Sequence, residues 1–237
     1  STLTRVLLLF LVAALTTAAT GCNSDTLFKS NFDANASNQP PAPSQAVGTV
    51  AVEGNVVVTT LPDLPSLKGV RLDPAQSSTF NVLTCNLVPH PVDGTYVFSA
   101  QLLIPSASGG QLTISFDRTP ATVSTGTESK AAAVGPQRFL HLDFLGETVT
   151  IDNDPGTTFG KFPRDQLFTV QVTIKLNATP SAYIVLSGAG ASGEANRSLQ
   201  AGTHPVPLSF GGVRISTVLT ADEQRFYAAN ILVTRKS

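Results

Sequence analysis

The chain of 237 residues has no Trp, three Tyr, three His and two Cys, and only 13% of it is charged. Two cysteines cannot build a disulfide framework. Three scattered histidines, with no His-x-x-x-His or Cys/His spacing, carry no transition-metal signature. His90 and His204 sit beside prolines and read as loop residues. Lys and Arg form no cluster anywhere and the formal charge is −1. A nucleic-acid partner needs a basic footprint, so that class is excluded. Scarce charge with abundant Thr, Ser, Val, Gly and Pro suits strands and turns better than surface helices.

What is present begins with an apolar run, Val6-Leu7-Leu8-Leu9-Phe10-Leu11-Val12-Ala13-Ala14-Leu15, after Arg5 and before Ala19-Thr20-Gly21-Cys22. A basic start, an apolar stretch and a small-residue cleavage site are the parts of a secretory signal. The run to Ala19 falls short of the ~20 apolar residues that cross a bilayer as a helix. A cysteine directly after small residues resembles the lipobox of bacterial lipoproteins, with Ala19 where that family usually has Leu. The resemblance implies that residues 1–21 are removed, that Cys22 is acylated and begins the mature chain, and that the protein is held in the cell envelope. Asn23 in place of Asp favours the outer membrane. Cys85 is then left as a buried thiol in the run 80–85. The rival reading, a Cys22–Cys85 disulfide, would staple a flexible terminus to a core strand.

Removing Arg5 with the signal leaves 14 basic residues against 16 acidic ones. Roughly 216 residues remain, compatible with one β-sandwich. Residues 22–46, with Gln39-Pro40-Pro41-Ala42-Pro43-Ser44 at their centre, read as a Pro/Asn/Ser-rich tether. Fully extended it would reach roughly 80 Å. Phe28 and Phe32 break that composition and point to a first edge strand at 27–33.

From Val47 to Ser237 apolar and polar residues alternate in short runs between turn residues, the pattern of antiparallel β structure. Val50-Ala51-Val52 and Val56-Val57-Val58, joined by Glu53-Gly54-Asn55, read as a hairpin. Further strands are expected near 69–72, 79–87, 95–104, 111–117, 138–144, 148–152, 167–176, 182–187, 213–219 and 225–234. The clearest is 167–176, where Phe168, Val170, Val172, Ile174 and Leu176 share one face. Only 220–224 invites a helical turn. So many strands with almost no helix imply an all-β fold of two packed antiparallel sheets or a closed barrel.

Phe28-Lys29-Ser30-Asn31-Phe32-Asp33, Gly94-Thr95-Tyr96-Val97-Phe98-Ser99-Ala100, the pair 168–176 and 182–188, and the closing Arg225 to Arg235 together resemble the concanavalin A-like (LamG-like) jelly-roll sandwiches. The resemblance implies two curved antiparallel sheets whose first and last strands close the same sheet. Ligands in many members bind the concave face or the loop rim, and calcium is common at their loops.

Three places offer chemistry. Gly188-Ala189-Gly190-Ala191-Ser192-Gly193 has dinucleotide-site spacing, but Glu194 to Ser198 is too short and polar to be the helix such a site needs, so a turn between strands is expected. Asp152-Asn153-Asp154-Pro155-Gly156 supplies oxygen ligands for calcium, the one cofactor the sequence offers. The same residues also form turns for conformational reasons alone. His141 and Asp143, at i and i+2, project from one strand face opposite Leu140, Leu142 and Phe144, with Glu147 following. A paired carboxylate motif for glycoside hydrolysis is absent. These features favour a non-enzymatic, lipid-anchored sandwich that binds a protein or glycan partner at the envelope. The alternatives are a lectin-like carbohydrate-binding surface protein, disfavoured by the missing Trp, and a glycoside hydrolase or lyase using His141, Asp143 or Glu147.

Overall fold

The computed structural model of the protein describes residues 24–73, 80–90, 92–118, 138–152, 154–199, 209–218 and 225–236. Residues 1–21, read as a signal, together with Cys22, Asn153, His204 and the turn expected at 220–224, lie outside them. The strands are β1 (Ser24–Ser30), β2 (Thr49–Glu53), β3 (Val56–Leu61), β4 (Leu64–Leu72), β5 (Phe80–Asn86), β6 (Gly94–Leu103), β7 (Gln111–Asp117) and β8 (Arg138–Leu145). They continue with β9 (Thr148–Ile151), β10 (Gly160–Lys161), β11 (Leu167–Leu176), β12 (Ser181–Gly188), β13 (Ser192–Ser198), β14 (Gly212–Val218) and β15 (Phe226–Lys236). One 3-10 turn, Pro155–Thr157, follows β9.

Every strand pairing is antiparallel. One sheet runs β2-β5-β14-β7-β8-β9 and the other β13-β12-β11-β6-β15-β4-β3, with β1 also on β15. Alternation fixes which face each strand buries. On β11 the even-numbered residues Phe168 to Leu176 are buried and the odd ones are more open. On β7 and β8 the core faces are Leu112, Ile114 and Phe116, and Leu140, Leu142 and Phe144. Rings meet across the sandwich: Phe98 of β6 packs edge-on against Phe116 of β7 at 5.3 Å, and Phe144 of β8 lies 6.1 Å from Phe168 of β11. Each such side chain contributes about 1.5–3 kcal/mol by leaving water. The expected all-β, two-sheet antiparallel sandwich is therefore the fold observed.

At one margin the sheets are joined. The short β10 pairs with β9 on one side and β13 on the other. Gly160 faces Gly193 there, and a Cβ on Gly193 would lie 2.5 Å from the Gly160 Cα. Gly193 also has φ +145, so only glycine fits this crossing.

Three local expectations change. Residues 50–58 form no hairpin, because β2 pairs with β5 in one sheet and β3 with β4 in the other. The chain turns a corner at Gly54 instead of folding back on itself. Ser192–Ser198, read as a polar stretch after a Gly-rich turn, is a strand paired along β12. The proline-rich segment, read as a tether, packs on the domain. Its first part is β1, registered from Ser24 opposite Lys236 to Ser30 opposite Ile231, with Leu27 and Phe28 buried. Beyond it Phe32 is buried, Asn38 N donates to Val58 O at 2.7 Å, and Val50 N donates to Pro43 O at 2.7 Å.

Candidate functional site

On β7 and β8 the side chains opposite the apolar core are Thr113, Ser115 and Asp117, and His141 and Asp143. Register aligns them in rows across the first sheet. Arg214 of β14 stands opposite Ser115, which stands opposite His141. In the next row Ser216, Thr113, Asp143 and Thr150 follow one another over four strands. His141 and Asp143, placed on one face by their i, i+2 spacing, are thus brought together on the side away from the core, and they are 5% and 3% exposed.

His141 joins two carboxylates. Its Nε2 lies 3.0 Å from Asp143 Oδ2, and its Nδ1 lies 3.4 Å from Asp152 Oδ1. Asp152 follows β9 with φ +55, a left-handed conformation that Asp tolerates. There its backbone N donates to His141 O at 3.0 Å while its Oδ1 accepts from His141 N at 3.2 Å. The other oxygen, Oδ2, meets Arg197 of β13 at 3.1 Å, so the chain of charges reaches the second sheet. Asp143 Oδ1 accepts from Gln111 Nε2 at 2.6 Å and Thr113 Oγ1 at 2.7 Å. Burial by itself would raise the Asp143 pKa. The hydrogen bonds from His141, Thr113 and Gln111, with the His141 charge, outweigh it and hold the carboxyl below its ordinary value. Toward the far end of the same face Arg214 grips Asp117 with two bonds, Nε to Oδ2 at 2.5 Å and an amino nitrogen to Oδ1 at 3.0 Å.

Glu147 does not join this network. It is exposed in the turn between β8 and β9, where its charge interacts with Arg164 and its carbonyl accepts from Phe162 N at 3.1 Å. Of the calcium candidates, Asp152 is engaged by His141 and Arg197, and Asp154 caps the 3-10 turn by accepting from Gly156 N at 2.9 Å. Asn153 lies outside the described residues. No group of three or more His, Cys, Asp or Glu side chains in a metal-holding arrangement occurs among the described residues. Cys85 lies on the core side of β5, and burial pushes its thiol pKa strongly upward.

Sequence reasoning passed over Arg197, Arg214 and Asp117. The one available signal was their isolation as charges in alternating runs, since their partners are distant along the chain. A separate pocket of about 240 Å³ lies against the outer side of the other sheet, lined among others by Asp63, Leu103, Asp165, Arg225 and Tyr227.

No protein-family model matches the chain, and no curated protein matches it. Solved structures do. A carbohydrate esterase from the Shiga toxin-encoding bacteriophage phi24B superposes with a TM-score of 0.57 at 13% identity, covering 91% of this chain and 100% of that one. Lectin II from Ulex europaeus gives 0.51 at 12%, covering 91% and 99%. The binding domain of botulinum neurotoxin serotype D gives 0.52 at 14%, covering 90% of this chain and 48% of that one. At such identities the likeness is one of fold: the chain is built as a lectin-like β-sandwich.

Proposed function

We propose that the protein is a non-enzymatic recognition module, held in the bacterial envelope by acylated Cys22, with the outer membrane favoured. Its ligand-facing surface is the polar side of the β5-β14-β7-β8-β9 sheet. The observation that carries this reading is the pairing of the carboxylates on that face: Asp117 with Arg214, Asp143 with His141, and Asp152 with Arg197. Glycoside hydrolysis requires one carboxyl that carries a proton and a second free to attack or to activate water. Asp143 is instead stabilised as the anion, and Glu147, the other carboxylate considered, stands apart in a turn. What remains partly exposed there is the guanidinium edges of Arg214 and Arg197 and the half-buried Ser216, over the buried Thr113 and Ser115, a surface suited to a hydroxyl-rich ligand. A glycan is therefore the ligand class favoured, and the same fold serves a lectin complexed with galactose.

Binding of residues 23–237 to a broad glycan panel, with calcium and with chelator, tests this. Retention that survives chelation and is lost in a folded Arg214→Ala variant supports the reading. Loss on chelation moves the site to the Asp152–Asp154 turn. No retention under either condition overturns the glycan assignment and leaves a protein partner, to be sought by cross-linking in intact cells.

A further inference from the structure

We infer that the acylated chain holds its sandwich flush against the lipid surface, by the end that carries Val92, Lys175 and Lys236, with no spacer. This rests on the anchoring proposed for Cys22. β1 begins at Ser24, two residues after that cysteine, and Ser24 is already in register opposite Lys236. Two residues reach at most about 7 Å. The strand cannot serve as slack, because Leu27, Phe28 and Phe32 are buried in the main core. The prolines, Pro40, Pro41 and Pro43, follow β1 in the chain, so the stretch that holds them adds nothing to the reach.

Register identifies the surface brought to the membrane. Lys236 is opposite Thr95, Thr95 opposite Lys175, Lys175 opposite Ser181, and Ser181 opposite Ser198, one row across β15, β6, β11, β12 and β13. Val92, just before β6, is 54% exposed, and its carbonyl accepts from the Tyr96 hydroxyl at 2.8 Å. Among the described residues in and beside this row the charges are Lys175, Lys236 and Arg235 against Asp25 and Asp93, and Arg235 faces both acids, at 3.9 and 3.8 Å. The two lysines remain to meet anionic headgroups, with an aliphatic side chain between strands to enter the interface. β6 then carries the chain about 30 Å away, to Leu103 and the pocket containing Tyr227 and Asp165. That pocket faces away from the membrane.

The test uses the full chain, purified from a lipoprotein-processing bacterium and reconstituted in phosphatidylethanolamine and phosphatidylglycerol vesicles containing a headgroup nitroxide lipid. Single cysteines are placed by Val92→Cys and Ala107→Cys and labelled with a fluorophore; Cys85 is buried and stays. The mass of the N-terminal peptide reports acylation separately. Severalfold stronger quenching at 92 than at 107 is expected. A Gly/Ser insert of about twelve residues after Asn23, roughly 20 Å as a coil, should remove the difference. An acylated chain quenched equally at both positions overturns the flush orientation alone. A chain without acyl groups on Cys22 overturns the anchor and this inference together.

Discussion

His141 Nε2 lies 3.0 Å from Asp143 Oδ2 on a sheet face turned away from the apolar core, with both side chains almost fully buried. The pair is one link in a line that runs from Thr113 through Asp143, His141 and Asp152 to Arg197. It therefore ties β7, β8 and the end of β9 to β13 of the other sheet. Buried charges are tolerated when every member has a partner and become destabilising when one is removed.

Asp143→Asn keeps the shape of the side chain and removes its charge. The expected loss is about 3 kcal/mol, as for other buried pairs broken from one side. A double-mutant cycle with His141→Gln should show a coupling energy above about 1 kcal/mol, read from urea midpoints. Additive effects would mean that the two side chains are neighbours without being a pair.

The same carboxylate gives the protein an acid-sensitive component of stability. Its folded pKa is lowered from the usual Asp value of about 3.9. The contribution is complete above that unfolded value and is lost as pH falls through the lower folded one. Urea midpoints measured from pH 6 down to pH 2 should fall more steeply in the wild type than in Asp143→Asn. Parallel curves would refute the assignment.

Gly193→Ala tests the crossing between the sheets. The new methyl would meet Gly160 Cα at 2.5 Å and Phe159 O at 2.6 Å, at a φ that an L side chain rarely adopts. A loss of about 2 kcal/mol or more is expected in thermal unfolding, from strain combined with displacement of β10. A neutral substitution would mean that β10 is not held between β9 and β13.

Much of this architecture was legible in the sequence where burial is one-sided. β11 alternates cleanly between buried and more open residues, and on β8 the i, i+2 spacing placed His141 beside Asp143 although both faces of that strand are buried. Legibility failed where pairing alone makes the strand. Ser192–Ser198 contains no large apolar residue and holds its place through main-chain bonds to β12. The misread hairpin at 50–58 failed for a related reason: both halves are good strands, and only distant partners, β5 and β4, decide that they part. The ion pairs of Arg214 with Asp117 and Arg197 with Asp152 join residues 97 and 45 positions apart, a closeness that only the assembled sheets create.

Cys85 should resist thiol reagents in the native protein and react on unfolding. It sits on the core face of β5, and burial disfavours the thiolate that would have to form. Titration with a chromogenic disulfide, without and then with denaturant, checks this. Rapid native reaction would show that the β2–β5 edge of the sheet opens readily.

The proline-rich segment provides the sharpest contrast between composition and structure. By composition it reads as a spacer that could be removed without harm to the domain. In the fold, β1 completes the edge of β15, and Leu27, Phe28 and Phe32 fill part of the main core. Phe28→Ala should cost about 3–5 kcal/mol, the range for emptying a buried aromatic site. A chain beginning at Val47 should lose cooperative unfolding altogether, since it strips all three side chains and leaves β15 with an open edge. A chain beginning at Asn23 should melt as the full-length protein does. Equal melting of the two truncated chains would restore the tether reading and, with it, a domain held well clear of the membrane.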